Sequence, residues 1–207
     1  MTAAVCSIEK LCKRCFSTLA SEYGCGRPLK PPVALSRSWS MPSPETFKIP
    51  PIAALLDRWC DGRSAVVDPF CRTSQRAHYS NDLAPEFGAG VDAPEYLSGL
   101  LARHGRFADC LLLDPPYSPR QMAEAYKSVG LRKGIEASQN ARLYSRCRDL
   151  MTEIALPGAV GINFGWNSGG FGIKRGWRLE EVLLVAHGGA HNDTICTVER
   201  YEPEETP

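Results

Sequence analysis

The sequence lacks the features that mark several large classes of protein. It has no apolar run close to the roughly 20 residues that cross a bilayer, and its N-terminus lacks the apolar core of a secretory signal peptide. It also lacks an excess of one charge, since 24 Lys and Arg residues against 23 Asp and Glu residues leave a net charge of +1. We therefore expect a cytoplasmic protein with no membrane partner, in which the cysteines stay reduced.

The chain does have enough apolar residues for one globular domain. Its 207 residues are 43% hydrophobic, which is enough to bury a core. Short apolar runs typical of strands alternate with helical patterns, the strands at 64–68, 77–82, 108–114, 159–164, 180–186 and 194–198 and the helices near 96–101 and 142–156. This alternation predicts an α/β fold whose mostly parallel sheet ends in an antiparallel pair.

Composition divides the chain into three parts. Residues 1–35 are rich in cysteine and end in a Pro-rich stretch typical of a linker. Residues 36–200 are expected to form the α/β domain, beginning with a short helix at 52–59 that prolines open. Residues 201–207 are acidic, and we expect them to be disordered.

The N-terminal part contains a candidate zinc site. Cys12 and Cys15 are two residues apart, as in a zinc knuckle, and Cys6 and Cys25 would complete a set of four thiolates. The outer spacing is irregular, so ordinary free thiols are an equally good interpretation. If these cysteines bind zinc, an alternative function for the protein is that of a zinc-ribbon adaptor.

Two strands end in residues that suit a binding site, one in Asp68-Pro69-Phe70 and the other in Asp114-Pro115-Pro116-Tyr117. Sheets of this kind bind ligands beyond the carboxyl ends of their strands. The prolines keep the second turn extended, so Asp114 and the carbonyl of Pro115 can accept hydrogen bonds from an amine. Tyr117 can stack on the ring that bears this amine. The turn therefore suits an extruded base with an exocyclic amino group, and a plain Pro-rich turn is the alternative.

The tetrapeptide Asp114-Pro115-Pro116-Tyr117 after an apolar strand resembles the catalytic motif of the amino-methyltransferases that modify adenine N6 or cytosine N4. Within this family, the chain resembles small phage-encoded adenine methylases in particular. The segments that carry the resemblance occur in the family's order at 41–47, 68–70, 114–117, 156–160, 164–168 and 187–193. The resemblance covers about residues 36–200 and implies a Rossmann-like methyltransferase sheet that binds S-adenosylmethionine.

The resemblance also implies roles for single residues. Asp114 and the Pro115 carbonyl would hold the target amine, and Tyr117 would stack on the base while its hydroxyl takes no part in the chemistry. The methionine end of the cofactor would contact Thr46, Phe47, Asp68, Pro69 and Phe70. Asp82 would bind the ribose hydroxyls and Asp92 the adenine amine. A turn residue and a helix N-cap are equally good interpretations of these last two.

The sequence departs from the family just after the first strand. Residues 70–74 contain no glycine, where the family has several. The stretch from Phe70 to Asp82 is too short for a loop, a full helix and a return, so we expect a truncated first crossover. The missing glycines favour one alternative, an inert DNA-binding or regulatory subunit with the same fold.

DNA is the expected partner and adenine N6 the expected target. Seven basic residues and two acidic ones lie between Ser118 and Arg148, a balance that suits a phosphate backbone or a solvated helix face. Cytosine N4 is the main alternative target, and RNA or a free nucleotide stays open. His187 and His191 indicate turn structure, and residues 166–170 a loop near the cleft. The sequence does not predict the oligomeric state.

Overall fold

The structure is a computed structural model that describes residues 32–130 and 140–203. Within these ranges it has four helices, α1 (Pro50–Cys60), α2 (Ala93–His104), α3 (Pro119–Ser128) and α4 (Asn140–Ile154). The strands are β1 (Ala34–Trp39), β2 (Val66–Asp68), β3 (Tyr79–Ser80), β4 (Ala108–Leu113), β5 (Ala155–Gly165), β6 (Trp177–Ala186) and β7 (Thr194–Tyr201). Single 3-10 turns lie at Thr46–Lys48 and Ile173–Arg175.

All seven strands form one sheet in the order β1-β6-β7-β5-β4-β2-β3. Strands β3, β2, β4 and β5 are mutually parallel, whereas β7 runs antiparallel to both β5 and β6. The predicted Rossmann-like α/β sheet with antiparallel C-terminal strands is therefore confirmed. Because β2 and β4 are parallel neighbours, the residues that follow them emerge side by side at one edge of the sheet.

The connection from β2 to β3 contains no helix in residues 69–78, and β3 has only two residues. The predicted truncated crossover is thus confirmed. Asn81 holds this short connection together. It is fully buried, and its side-chain amide donates to the carbonyls of Pro69 (3.3 Å) and Val91 (2.9 Å).

Strand β4 is apolar apart from Asp109 because both of its faces are covered. Leu111 and Leu113 belong to the core that also contains buried residues of α2 and α4, and Cys110 and Leu112 to the core that contains α1. A near-continuous hydrophobic run is typical of a central parallel strand. This packing fixes the end of β4, from which the Asp114 turn departs.

Two predicted boundaries need correction. Strand β1 begins at Ala34, inside the part expected to end at residue 35, and it pairs in parallel with β6. The sequence predicts a disordered tail from Tyr201, yet Tyr201 closes β7 and is buried, while the Glu202 N–H donates to the Gly176 carbonyl (2.7 Å). Residues 204–207 lie outside the described ranges. In the part of the chain that is described, no helix is long and apolar enough to cross a membrane.

Candidate functional site

The turn that follows β4 is held between a buried strand and a capped helix. Ser118 is the N-cap of α3, and its Oγ accepts from the Gln121 N–H (3.2 Å). The Gln121 side-chain oxygen accepts in return from the backbone N–H groups of Ser118 (3.1 Å) and Tyr117 (2.7 Å). This capping box, with Pro119 in the first turn, fixes the backbone of the motif on its C-terminal side.

Asp114 and Tyr117 are in direct contact, because the Tyr117 hydroxyl donates to Asp114 Oδ1. Burial raises the pKa of Asp114, while hydrogen bonds with Tyr117 and Thr46 oppose this rise. Burial and the neighbouring Asp114 carboxylate raise the pKa of Tyr117 well above its usual range, so the phenol keeps its proton and acts as a donor. The expectation that the hydroxyl takes no part therefore misses an orienting contact on the Asp114 carboxyl.

Asp68 ends β2 and has no exposed surface. Its Oδ1 accepts from the Phe70 N–H (3.0 Å), whereas its Oδ2 has no hydrogen-bond partner among the described residues. Burial, with smaller contributions from the Asp114 and Asp82 charges, raises the pKa of Asp68 to about 8. The carboxyl is therefore mainly neutral at pH 7, and its Oδ2 is a buried acceptor that no donor in the described residues satisfies.

A cavity of about 680 Å³ lies at this edge of the sheet. Its volume falls within the range of small-molecule sites, about 300–1,000 Å³. Helix α3 forms one wall through Gln121, Met122 and Tyr126. The residues predicted from the sequence that line this cavity are Thr46, Pro69, Phe70, Asp82, Asp92, Asp114, Pro115, Pro116 and Tyr117.

A second cavity of about 290 Å³ adjoins the first. Pro44, Thr46, Phe70, Arg72 and Asp114 line both cavities, so the Asp114 carboxyl faces each of them. Phe47 lines only the smaller cavity and packs against Phe164, with ring centroids 4.9 Å apart. The Asp68 side chain lines neither cavity and lies behind Pro69 and Phe70.

The two remaining predicted acids have partners within the fold. The two oxygens of Asp82 accept from the backbone N–H groups of Arg72 (3.1 Å) and Ala84 (2.9 Å), a turn-forming role. Asp92 occupies the N-cap position of α2 without a capping side-chain bond, and it accepts from the Tyr126 hydroxyl (2.8 Å). Since an ionised carboxylate has about four acceptor positions, the two contacts of Asp82 leave acceptor positions for a ligand.

Arg72 occupies part of the glycine-free segment that follows β2. It has φ 44, and it is the one non-glycine residue with a positive φ in the described ranges. Its guanidinium donates to the Pro44 carbonyl (2.8 Å) and thereby ties the segment before α1 to the β2 loop. The left-handed position that glycine usually fills is thus taken by a residue with a long cationic side chain.

Sequence reasoning missed Arg72, Gln121 and Tyr126 as components of the site. Only Gln121 carried a signal, since Ser118 followed by a glutamine three residues later is a capping-box pattern. His187 is structural, as expected: it is buried, and its ring contacts the Ser40 carbonyl and Thr194 Oγ1, each at 2.9 Å.

Metal binding by the described residues has no support. In residues 32–130 and 140–203, no group of three or more His, Cys, Asp or Glu side chains is placed to hold a metal ion. The cysteines of the predicted zinc site, Cys6, Cys12, Cys15 and Cys25, lie outside these ranges. That site stays a prediction.

Comparison with known proteins gives structural similarity only. No protein-family model matches the chain, and no curated protein does so. TrmN from Thermus thermophilus is similar with a TM-score of 0.43 and 20% identity, over 74% of this chain and 49% of TrmN. This chain therefore spans about half the length of TrmN.

HI0767 from Haemophilus influenzae, which is described provisionally as a methylase, is similar with a TM-score of 0.39 and 11% identity. The similarity covers 79% of this chain and 92% of HI0767. Both TM-scores lie below 0.5, so neither similarity bears on the substrate or on the site residues of this chain.

Proposed function

We propose that the protein is an S-adenosylmethionine-dependent methyltransferase that acts on the exocyclic amine of a nucleic-acid base, with adenine N6 of DNA as the target. The observation that carries the proposal is the fixed Asp114–Tyr117 turn, whose carboxyl and aromatic ring line a cavity together with Asp82 and Asp92. The Asp114 carboxyl supplies a hydrogen-bond acceptor for an amine, and the Tyr117 ring supplies a surface on which a base can stack. Both line the same cavity as Asp82 and Asp92, whose carboxylates suit the hydroxyl and amine groups of a nucleoside.

The buried residues fit this cofactor. S-adenosylmethionine supplies a methyl group on a cationic sulfonium, which leaves as a neutral thioether. The α-ammonium group of its methionine end is assigned to the orphaned Oδ2 of Asp68, next to Thr46, Phe47 and Phe70. Since Asp68 is fully buried and lines neither cavity, this pairing requires Pro69 and Phe70 to move when the cofactor binds. Asp82 has acceptor positions for the ribose hydroxyls, and Asp92, which lines the same cavity, is assigned to the adenine amine.

Asp114 and Tyr117 would orient the substrate. The Asp114 carboxyl accepts a hydrogen bond from the target amine and directs its lone pair toward the methyl group, with the Pro115 carbonyl as second acceptor. Because burial raises the pKa of Asp114, the carboxylate also accepts more readily the proton that the methylated amine must lose. Positioning of this kind supplies much of the rate of a direct displacement.

The decisive experiment combines product analysis with a variant of the turn. DNA incubated with the protein and S-adenosylmethionine is digested, and its nucleosides are analysed by mass spectrometry for N6-methyldeoxyadenosine. Asp114→Ala should lower the rate about 10²–10³-fold, as expected for removal of one preorganised contact. The exposed Asp61→Ala serves as a matched control. Methylation by Asp114→Ala at the rate of the unaltered protein would contradict the proposal, and N4-methyldeoxycytidine would change the target.

The inert DNA-binding subunit remains the second candidate, because the cofactor loop contains no glycine and Arg72 lines both cavities. Calorimetric titration with S-adenosylmethionine separates the two functions, since an inert subunit gives no binding heat.

The zinc proposal for the four N-terminal cysteines is tested by elemental analysis. About one zinc per chain after chelator-free, reducing purification is expected if the site exists. A metal-free protein would leave these cysteines as ordinary thiols.

A further inference from the structure

The loop between β5 and β6, residues 166–176, begins beside the proposed catalytic turn. Its first residue, Trp166, packs against Tyr117 with ring centroids 5.7 Å apart and an angle of 56° between the ring planes. This tilted geometry is a favourable aromatic pairing. Trp166 lines neither cavity, so it contacts Tyr117 from outside the pocket.

The loop is firmly anchored on its inner side. Phe171 is fully buried and stacks on Trp177, with ring centroids 4.6 Å apart. The backbone N–H groups of Phe171 (2.5 Å) and Gly172 (3.1 Å) donate to the buried Glu199 carboxyl. Arg175 donates to Asp149 (2.6 Å) and to Ser145 (2.9 Å) on α4. These contacts hold the loop in one conformation. The side chains on its outer side are therefore exposed in a fixed arrangement.

That outer side presents apolar and cationic groups to solvent. Trp166 is 42% exposed and Ile173 is 79% exposed. Lys174 is also exposed, and residues 166–176 contain no acidic residue. A rigid surface with an aromatic ring, an aliphatic side chain and a cation suits a nucleic-acid strand, because bases stack on aromatic rings while lysine neutralises phosphate.

We infer that the outer side of the 166–176 loop binds the DNA strand next to the target base, with the Trp166 indole stacking on a neighbouring base. This inference rests on the proposed function for the identity of the strand. If Tyr117 holds the extruded base, its neighbour along the strand lies within reach of the ring that packs against Tyr117. Lys174 then contacts a backbone phosphate.

The inference is tested by the binding of a single-stranded 12-mer of deoxyadenosine, measured by fluorescence anisotropy. Trp166→Ala should raise Kd about 5- to 150-fold, since stacking of a base on an aromatic residue is worth about 1–3 kcal/mol. Trp166→Phe should stay within about threefold of the unaltered protein, because it keeps an aromatic ring. Trp39→Ala is the matched control, since Trp39 is 62% exposed on the edge strand β1 and should leave Kd unchanged.

Two further readouts separate base stacking from a purely structural role. Lys174→Gln should lower the slope of log Kd against log salt by about 0.7, the value for one phosphate contact on a single strand. Trp166→Ala should leave both the melting temperature and the affinity for S-adenosylmethionine unchanged. Weaker binding by Trp166→Ala at an unchanged melting temperature, together with near-normal binding by Trp166→Phe, cannot be explained by loss of the fold.

The outcomes distinguish this inference from the proposed function. If Trp166→Ala binds the 12-mer as tightly as the unaltered protein, or if Trp39→Ala weakens binding equally, the surface lies elsewhere. No binding by the unaltered protein also overturns the inference. If binding depends on Trp166 but no base is methylated, the surface stands and the methyltransferase proposal fails.

Discussion

Asp68→Asn should make the folded protein more stable at neutral pH, and the gain should grow with pH. The Asp68 carboxyl has a pKa of about 8 in the folded chain against 3.8 for an ordinary aspartate. Between these two values the folded chain binds a proton that the unfolded chain has released. The free energy of unfolding therefore falls as pH rises from about 4 to about 8, and it levels off above the folded pKa.

The size of the effect follows from the displacement of the pKa. Each pH unit between 4 and 7 costs up to about 1.36 kcal/mol, which sums to about 4 kcal/mol at pH 7. Local relaxation around the carboxyl reduces this figure, so we expect Asp68→Asn to be more stable by about 2–4 kcal/mol at pH 7. Near pH 4 the two proteins should be almost equal, because asparagine then replaces a neutral carboxylic acid of the same shape.

Urea unfolding at fixed temperature from pH 4 to pH 8 measures this difference directly. When the variant is compared with the unaltered chain, the contributions that all other titrating groups make to the free energy of unfolding cancel. Asp61→Asn, at an exposed position, controls for the loss of one carboxyl and should follow the unaltered protein at every pH. A stability difference between Asp68→Asn and the unaltered protein that stays constant with pH would show that Asp68 is ionised in the fold, and would refute the reasoning.

The same carboxyl links cofactor binding to proton release. If the α-ammonium of S-adenosylmethionine pairs with Asp68, binding stabilises the carboxylate and expels the proton that the carboxyl carries at pH 7. Calorimetry in two buffers with different ionisation enthalpies should show release of close to one proton per site at pH 7 and much less above pH 8. The Asp68→Asn variant should show no such release.

Two further predictions concern the site and the core. Tyr117→Phe should lower kcat/KM at least about tenfold, because it removes a hydrogen bond to a carboxylate worth about 1.5–3 kcal/mol. Tyr117→Ala should lower it a further 5- to 150-fold through lost stacking, and kinetics that leave the Phe variant fully active would refute the orienting role. Gly161→Ala should destabilise the fold by about 1–3 kcal/mol, since the added methyl group would lie 2.7 Å from Phe171 and 2.8 Å from Trp177. Gly99→Ala, on α2 with open space around it, should instead stabilise by up to about 1 kcal/mol, as thermal melts can show.

The central strands and the Asp114–Tyr117 turn were predictable because burial on two faces leaves a clear sequence pattern. Strand β4 is a nearly continuous apolar run, and the prolines after it favour an extended turn. Strand β1 left no such pattern. Its residues are mostly exposed and it pairs with β6 alone, so its place depends on a partner more than 140 residues away in the sequence. Pairing over that distance has no local signal.

The contacts within the site could not be predicted for a related reason. The bond between the Tyr117 hydroxyl and Asp114 depends on a turn geometry that the Ser118–Gln121 capping box completes. The protonation of Asp68 depends on complete burial and on two other carboxyls that the fold brings near. Sequence identifies these as candidate residues, but the depth of burial that sets their charge is a property of the folded chain.

The loop after β2 has no glycine, yet it contains a left-handed residue. Arg72 adopts this region with φ 44. Such a conformation costs a non-glycine residue about 1–3 kcal/mol and persists only where surrounding contacts hold it. Here the Arg72 N–H donates to Asp82 and its guanidinium to the Pro44 carbonyl. These bonds join the segment before α1 to the loops that follow β2 and β3. The left-handed conformation in this loop is therefore reached without glycine, and it brings a cationic side chain to the lining of both cavities.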